Sequence, residues 1–164
     1  MRRIIVLGAK GGTGRSIVGV LRTSGYEVHG VDVKPAEARE EDYTHADVLD
    51  YAKLSKLIQG ADGVVFVADS QSRQLAENVE SFQDLHANLA DYGIDARTVP
   101  LVIQYNKQDL PSELILESSA LSDTLNFRNV PEFSADALHG PGVFETLRSI
   151  SELVLKRLSA GAGR

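Results

Sequence analysis

The sequence predicts an α/β fold: a three-layer, doubly wound parallel sheet of six strands in the order 3-2-1-4-5-6. Three observations predict it. Apolar runs bounded by turn residues alternate with helical periodicity along the whole chain, the pattern of parallel strands joined by right-handed crossovers. The first, fourth and fifth runs are nearly continuous in apolar residues, as strands buried on both faces require. Gly8, Gly11 and Gly14 follow the first run directly, where such a fold turns its first strand into its first helix.

The elements follow in order. Arg3–Leu7 is the first strand, ended by glycines, and a helix runs from about Gly12 to Ser24, with Gly25 as its stop. Glu27–Val33 is the second strand. The charged stretch Lys34–Thr44, with Pro35, reads as a loop. His45–Val48 is a short third strand and Tyr51–Ile58 a short helix closed by Gly60. Gly63–Ala68 is the fourth strand. Leu75, Val79, Phe82, Leu85 and Leu89 then recur at spacings of three and four, one face of a long helix. Val99–Tyr105 is the fifth strand, Pro111–Leu121 a helix and Val130–Ser134 the sixth strand. The last helix starts at Pro141, a favoured first position, and turns Val143, Leu147, Ile150, Val154 and Leu158 inward. From Ser159 the small, polar end of the chain frays, leaving 161–164 as a flexible tail.

At 164 residues the chain fits a single α/β domain, with a front half at 1–61 and a back half at 62–160. No apolar run reaches membrane-spanning length, and the start of the chain reads as a strand and not a secretory signal, so a cytoplasmic, membrane-free protein is expected. Without cysteine there are no disulfides, thiolate metal sites or cysteine nucleophiles. The four histidines are widely spaced, so no metal site is expected from them. Net charge is −6, carried by the back half, and no basic stripe offers itself to nucleic acid. A small-molecule nucleotide is the one partner class left, with a monomer favoured.

The loop Gly8-Ala9-Lys10-Gly11-Gly12-Thr13-Gly14 supplies what a pyrophosphate needs: a tight turn, close backbone approach, and a helix N-terminus with unpaired N–H groups. A turn that merely packs helix on sheet is the plainer alternative. The dinucleotide case gains from Asp32, an acid at the end of the second strand placed for ribose hydroxyls, and from Asp47-Val48 where an adenine would lie. An Asp at the ribose position favours NAD, while Lys10 and Lys34 would suit an extra phosphate. On Met1–Val33, Ala46–Asp50 and Gly60–Val65, residues 1–68 resemble NAD(P)-binding epimerase/dehydratase proteins of the extended short-chain dehydrogenase type, with a Rossmann fold. The resemblance implies NAD bound by Gly8, Lys10, Gly11, Gly12, Thr13, Gly14, Asp32, Asp47 and Val48. Lys10 departs from the Thr usual there.

The back half reads differently. Asn106-Lys107-Gln108-Asp109 is an N-K-x-D sequence after a buried strand, and Ser134-Ala135-Asp136 follows the next one. With Gly63–Ser72, Glu77–Phe82 and Gly142–Leu147, these make residues 62–160 resemble a bacterial Ras-like small GTPase of the gliding-motility and polarity type. That resemblance implies a guanine site. Asp109 would accept from the ring N–H and amino group, Asn106 and Lys107 would shape the pocket, and Ser134 and Ala135 would form the facing loop.

Neither chemistry is complete. Aligned on Gly14, a P-loop would need Lys-Ser/Thr where Arg15-Ser16 stands, so Ser16 meets magnesium only if such a site forms at all. No D-x-x-G follows the third strand, and none of Tyr26, Tyr43, Tyr51, Tyr92 or Tyr105 has Lys four residues later. The sequence alone therefore points to an engineered or recombined α/β scaffold joined near the fourth strand. It would have at most residual NAD-type binding, no required cofactor and no turnover, and would not be an enzyme. The alternatives are a guanine-nucleotide binder without efficient hydrolysis, using Asn106, Lys107 and Asp109, and a natural NAD(P)-binding reductase or sensor.

Overall fold

A computed structural model describes residues 3–7, 18–19, 22–23, 25, 27–32, 43–45, 62–91 and 93–161. The protein is mixed α/β with parallel sheets, and it divides into two compact units, Met1–Ala61 and Asp62–Arg164.

In the first unit β1 (Arg3–Leu7) pairs with β2 (Glu27–Asp32), and β2 with β3 (Tyr43–His45), all parallel, in the order β1-β2-β3. Residues 18–19 and 22–23 are helical, and the Thr23 hydroxyl donates to Gly19 O at 3.1 Å. Gly25 ends this turn at φ +81, donating its N–H to Arg22 O, a left-handed stop that glycine adopts without Cβ strain. β3 lies earlier than the sequence suggests. Tyr43 and Thr44, which the charged neighbourhood marked as loop, pair with Gly30 and Val31 as aromatic and β-branched residues readily do. Val48 and the 51–58 helix lie outside the described residues.

The second unit begins with β4 (Val64–Asp69) and a 3₁₀ turn at Ser72–Gln74, then α1 (Leu75–Asp91) and β5 (Leu101–Asn106). A 3₁₀ turn at Ser112–Leu114, α2 (Ser118–Leu125), β6 (Glu132–Ser134) and α3 (Val143–Gly161) complete it. The parallel order is β4-β5-β6. Every residue of β5 is buried, since it is flanked by a strand on each side. One of its faces sends Leu101, Ile103 and Tyr105 into a core with Ala68, Phe82, Leu121 and Leu125. By strand alternation the other face carries Val102, Gln104 and Asn106. Phe82 anchors α1 to this core, its ring 4.6 Å from that of Phe66. β4 is less buried than its apolar run suggests, with Val67 37% exposed.

Three boundaries shift for identifiable reasons. The helix predicted over Pro111–Leu121 breaks in two because Ile115 is extended and bridges Gln71, and Leu116 donates its N–H to Ser70 O at 2.8 Å. α3 starts at Val143 and not at Pro141, because Gly142 has φ +76. It also continues through Ser159, whose hydroxyl donates to Leu155 O, where fraying was expected. On its inner face Val143, Leu147 and Ile150 are buried, whereas Leu158 is 48% exposed. Among the described residues no helix is long and apolar enough to cross a membrane.

Candidate functional site

Parallel α/β sheets gather ligands beyond the carboxyl ends of their strands. In the second unit the register brings Asp69 opposite Asn106, and Tyr105 opposite Ser134, at that end. Asn106 is 4% exposed, and its Oδ1 accepts the Ala137 N–H at 3.0 Å. Lys107 follows at φ +70, a left-handed conformation that is costly for a residue with a Cβ and so marks a constrained turn. Two hydrogen bonds fix what comes next: Gln108 N–H to Ala135 O at 3.1 Å, and Leu110 N–H to Lys107 O at 3.2 Å. Asp109 then stands exposed, and among the described residues nothing pairs with or hydrogen-bonds its carboxylate.

The end of β4 supports this loop from below. Ser70, fully buried, donates its N–H to Asn106 O at 3.0 Å, and its hydroxyl accepts from Gln108 Nε2 at 2.7 Å. The Asn78 side chain clamps the Asp69 backbone, accepting its N–H at 3.1 Å and donating to its carbonyl at 2.8 Å. The Asp69 carboxylate accepts from Gln71 N and Nε2 and pairs with Lys107 Nζ at 2.5 Å. Burial works against its ionisation, but the Lys107 ammonium and the Gln71 donors outweigh that and hold the carboxyl below its usual range.

The loop after β6 closes the other side. Ala135 donates its N–H to Tyr105 O at 2.8 Å, so its amide is spent on strand pairing, and it is Ala137 that reaches Asn106. The Ser134 hydroxyl lies 2.7 Å from that of Ser118. Asp136 Oδ1 accepts the N–H groups of Leu138 and His139, and Oδ2 lies 2.5 Å from His139 Nδ1. Burial pushes the Asp136 carboxyl up, but the His139 and Leu138 donors hold it below the usual range. Gly142 makes the closure sterically feasible, because a Cβ there would sit 2.1 Å from Ser134 O. The ligating atoms of Asp109, Asp136 and His139 lie within 4.8 Å of one another.

Asn106, Lys107, Asp109, Ser134 and Ala135 thus share one loop system. Asp69, Ser70, Gln71 and Ala137 belong to it too, and sequence reasoning missed them; the strand-end rule would have pointed to Asp69 and Ser70. In the first unit Asp32 is the last residue of β2, opposite His45. Gly8, Lys10, Gly11, Gly12, Thr13, Gly14, Ser16, Asp47 and Val48 lie outside the described residues.

Residues 4–92, more than half of the chain, match the NAD dependent epimerase/dehydratase family. The chain is also similar to the Mutual gliding-motility protein MglA of Myxococcus xanthus (strain DK1622), at 44% identity over 131 residues. That is 79% of this chain and 66% of that protein, so the chain spans just under two thirds of its relative's length. Both halves of the double resemblance are therefore present.

Two expectations are corrected. An engineered or recombined scaffold without turnover required a join near the fourth strand. The family match instead runs on to residue 92, and the match to one natural protein covers more of the chain than the second unit contains. The expectation that the chain is no enzyme falls with it. Epimerases and dehydratases are enzymes, and the relative carries the gliding-motility name of the GTPase type that residues 62–160 resemble.

Proposed function

The chain belongs to the NAD dependent epimerase/dehydratase family, and we propose that its second unit binds a guanine nucleotide, with Asn106, Lys107 and Asp109 at the base and the Ser134–Ala135 loop beside them. One observation carries this: Asn106 is locked to Ala137 while Asp109, on the same constrained turn, presents a carboxylate with no protein partner among the described residues. Guanine offers two adjacent donors, the ring N1–H and the C2 amino group, and a carboxylate is an acceptor-only group with two oxygens. Adenine offers no such pair. Turnover of GTP is the further step that the GTPase-type resemblance implies, although Arg15-Ser16 stands where a P-loop has Lys-Ser/Thr; magnesium-dependent phosphate release is its readout.

Calorimetric titration of the protein with GDP, ADP and NAD tests this. GDP should bind, ADP should not, and Asp109→Ala should cost GDP about tenfold or more, the effect of leaving two ligand donors unpaired. GDP binding indifferent to Asp109→Ala, or no GDP binding, would overturn the assignment.

The match of residues 4–92 favours a second reading for the first unit: NAD on the Gly8–Gly14 loop, with Asp32 at the ribose. In that case Asp32→Ala should weaken NAD by about 1–3 kcal/mol and leave GDP untouched. The order 3-2-1-4-5-6 belongs to the proposal as well; the orders β1-β2-β3 and β4-β5-β6 within each sheet support it.

A further inference from the structure

We infer that Asp69 is a positioning residue for guanine-nucleotide recognition, acting through Lys107; this rests on the guanine reading of the second unit. Lys107 leaves β5 in a left-handed turn, and its ammonium returns to Asp69 on the neighbouring strand, whose register partner is Asn106. With its end fixed, the four-carbon stem of Lys107 is held in one course beside Asn106 instead of moving through solvent. A lysine stem is apolar surface under a charged head, which suits the flat face of a purine.

An exposed ion pair would ordinarily contribute little, since both side chains must be ordered to form it. This pair differs because the carboxylate is already built in place. Its oxygens accept from Gln71 N and Nε2 at 3.0–3.1 Å. The backbone that carries it is clamped by the buried amide of Asn78. The Asp69 side chain is 23% exposed and that of Lys107 41%, so the pair is partly shielded while the lysine keeps accessible surface. The next residue along each strand repeats the link, Ser70 holding Gln108. The end of β4 is therefore a template for the Asn106–Asp109 turn, with Ser70 holding Gln108 and Asp69 holding Lys107, the one charged long side chain of that turn.

A double-mutant cycle tests the inference, with Asp69→Asn and Lys107→Met made singly and together and GDP affinity measured by titration. Asp69→Asn keeps the size of the side chain but loses its charge. It should weaken GDP about tenfold in the parent and less than about twofold in the Lys107→Met background, because coupled neighbours are non-additive. Equal weakening in both backgrounds would mean that Asp69 merely stabilises the strand end, and no weakening in either would mean that it does nothing for the site; each result overturns the inference and leaves guanine binding standing. If the parent binds no GDP, the guanine reading falls and the inference with it. Should Asp69→Asn fail to fold, as far-ultraviolet circular dichroism would show, Asp69→Glu carries the same cycle. It keeps the charge one methylene further out, and its smaller loss should likewise vanish with Lys107→Met.

Discussion

Asn106 Oδ1 accepts the Ala137 N–H at 3.0 Å across 31 residues of sequence, making the loop after β5 and the loop after β6 one piece. Both residues are buried, so the donor has no ready access to water once its acceptor is removed. Asn106→Ala should lower the unfolding free energy by about 1–3 kcal/mol, the cost of an unsatisfied buried donor. Asn106→Ser, which keeps a neutral side-chain acceptor, should lose less. Urea denaturation of both variants reads this directly, and equal losses would show that the acceptor is not what matters.

Gly142 allows the same closure from the far side. Its φ of +76 is left-handed, and an added Cβ would lie 2.1 Å from Ser134 O and 2.8 Å from Ala135 Cα. Both are backbone atoms, so no side chain can turn away to make room. Gly142→Ala should destabilise the second unit by about 2 kcal/mol or more, combining backbone strain with a clash. Gly93 has φ +69 and nothing within 4 Å of its Cβ position, so Gly93→Ala pays strain alone and is the control. Similar melting temperatures for the two variants would contradict the close packing of Gly142.

His86 gives the unit an acid-sensitive contact. Its ring lies 4.9 Å from that of Phe82 and 5.2 Å from that of Phe127. Burial, and then the Arg128 charge, hold it below its ordinary value of 6.5. The folded state therefore prefers the neutral ring. Its contribution to stability is complete above about pH 6.5 and is lost as pH falls through the depressed folded value. His86→Leu should flatten the fall in denaturation midpoint as pH drops below about 6.5. An unchanged slope in that window would assign the acid loss to other groups.

Much of this was legible in the residues, and what was not shares a cause. Arg3–Leu7 and the long helix from Leu75 are where apolar periodicity puts them, because strand alternation and a 3.6-residue face are local signals. The N-K-Q-D turn was legible for the same reason. Ile115 was read as helical because its bridge to Gln71 depends on tertiary pairing that no local window contains. Asp69 is not legible because its pairing with Lys107, the residue after β5, appears only once the register sets Asp69 opposite Asn106. The supposed join near the fourth strand was an error of another kind. Two motif sets need not have two origins, and a single match runs through that strand.

Asp109 carries the sharpest test of which base the site reads. A carboxylate has only acceptors to offer, so it suits N1–H and the C2 amino group of guanine together. An amide at the same place offers one acceptor and one donor. It would leave one guanine donor facing another donor, but it matches xanthine, where a carbonyl replaces the amino group. Asp109→Asn should therefore weaken GDP by about tenfold or more and make xanthosine diphosphate the tighter ligand. Since Asp109 is exposed, its replacement should leave stability within about 0.5 kcal/mol of the parent, so a binding change cannot be laid to unfolding. NAD held by the first unit would not sense the change. Titration of parent and variant with the two diphosphates and NAD separates the cases. A reversal of preference places the base at Asp109, whereas equal loss of both diphosphates would mean that the loop is needed for binding but does not read the base edge.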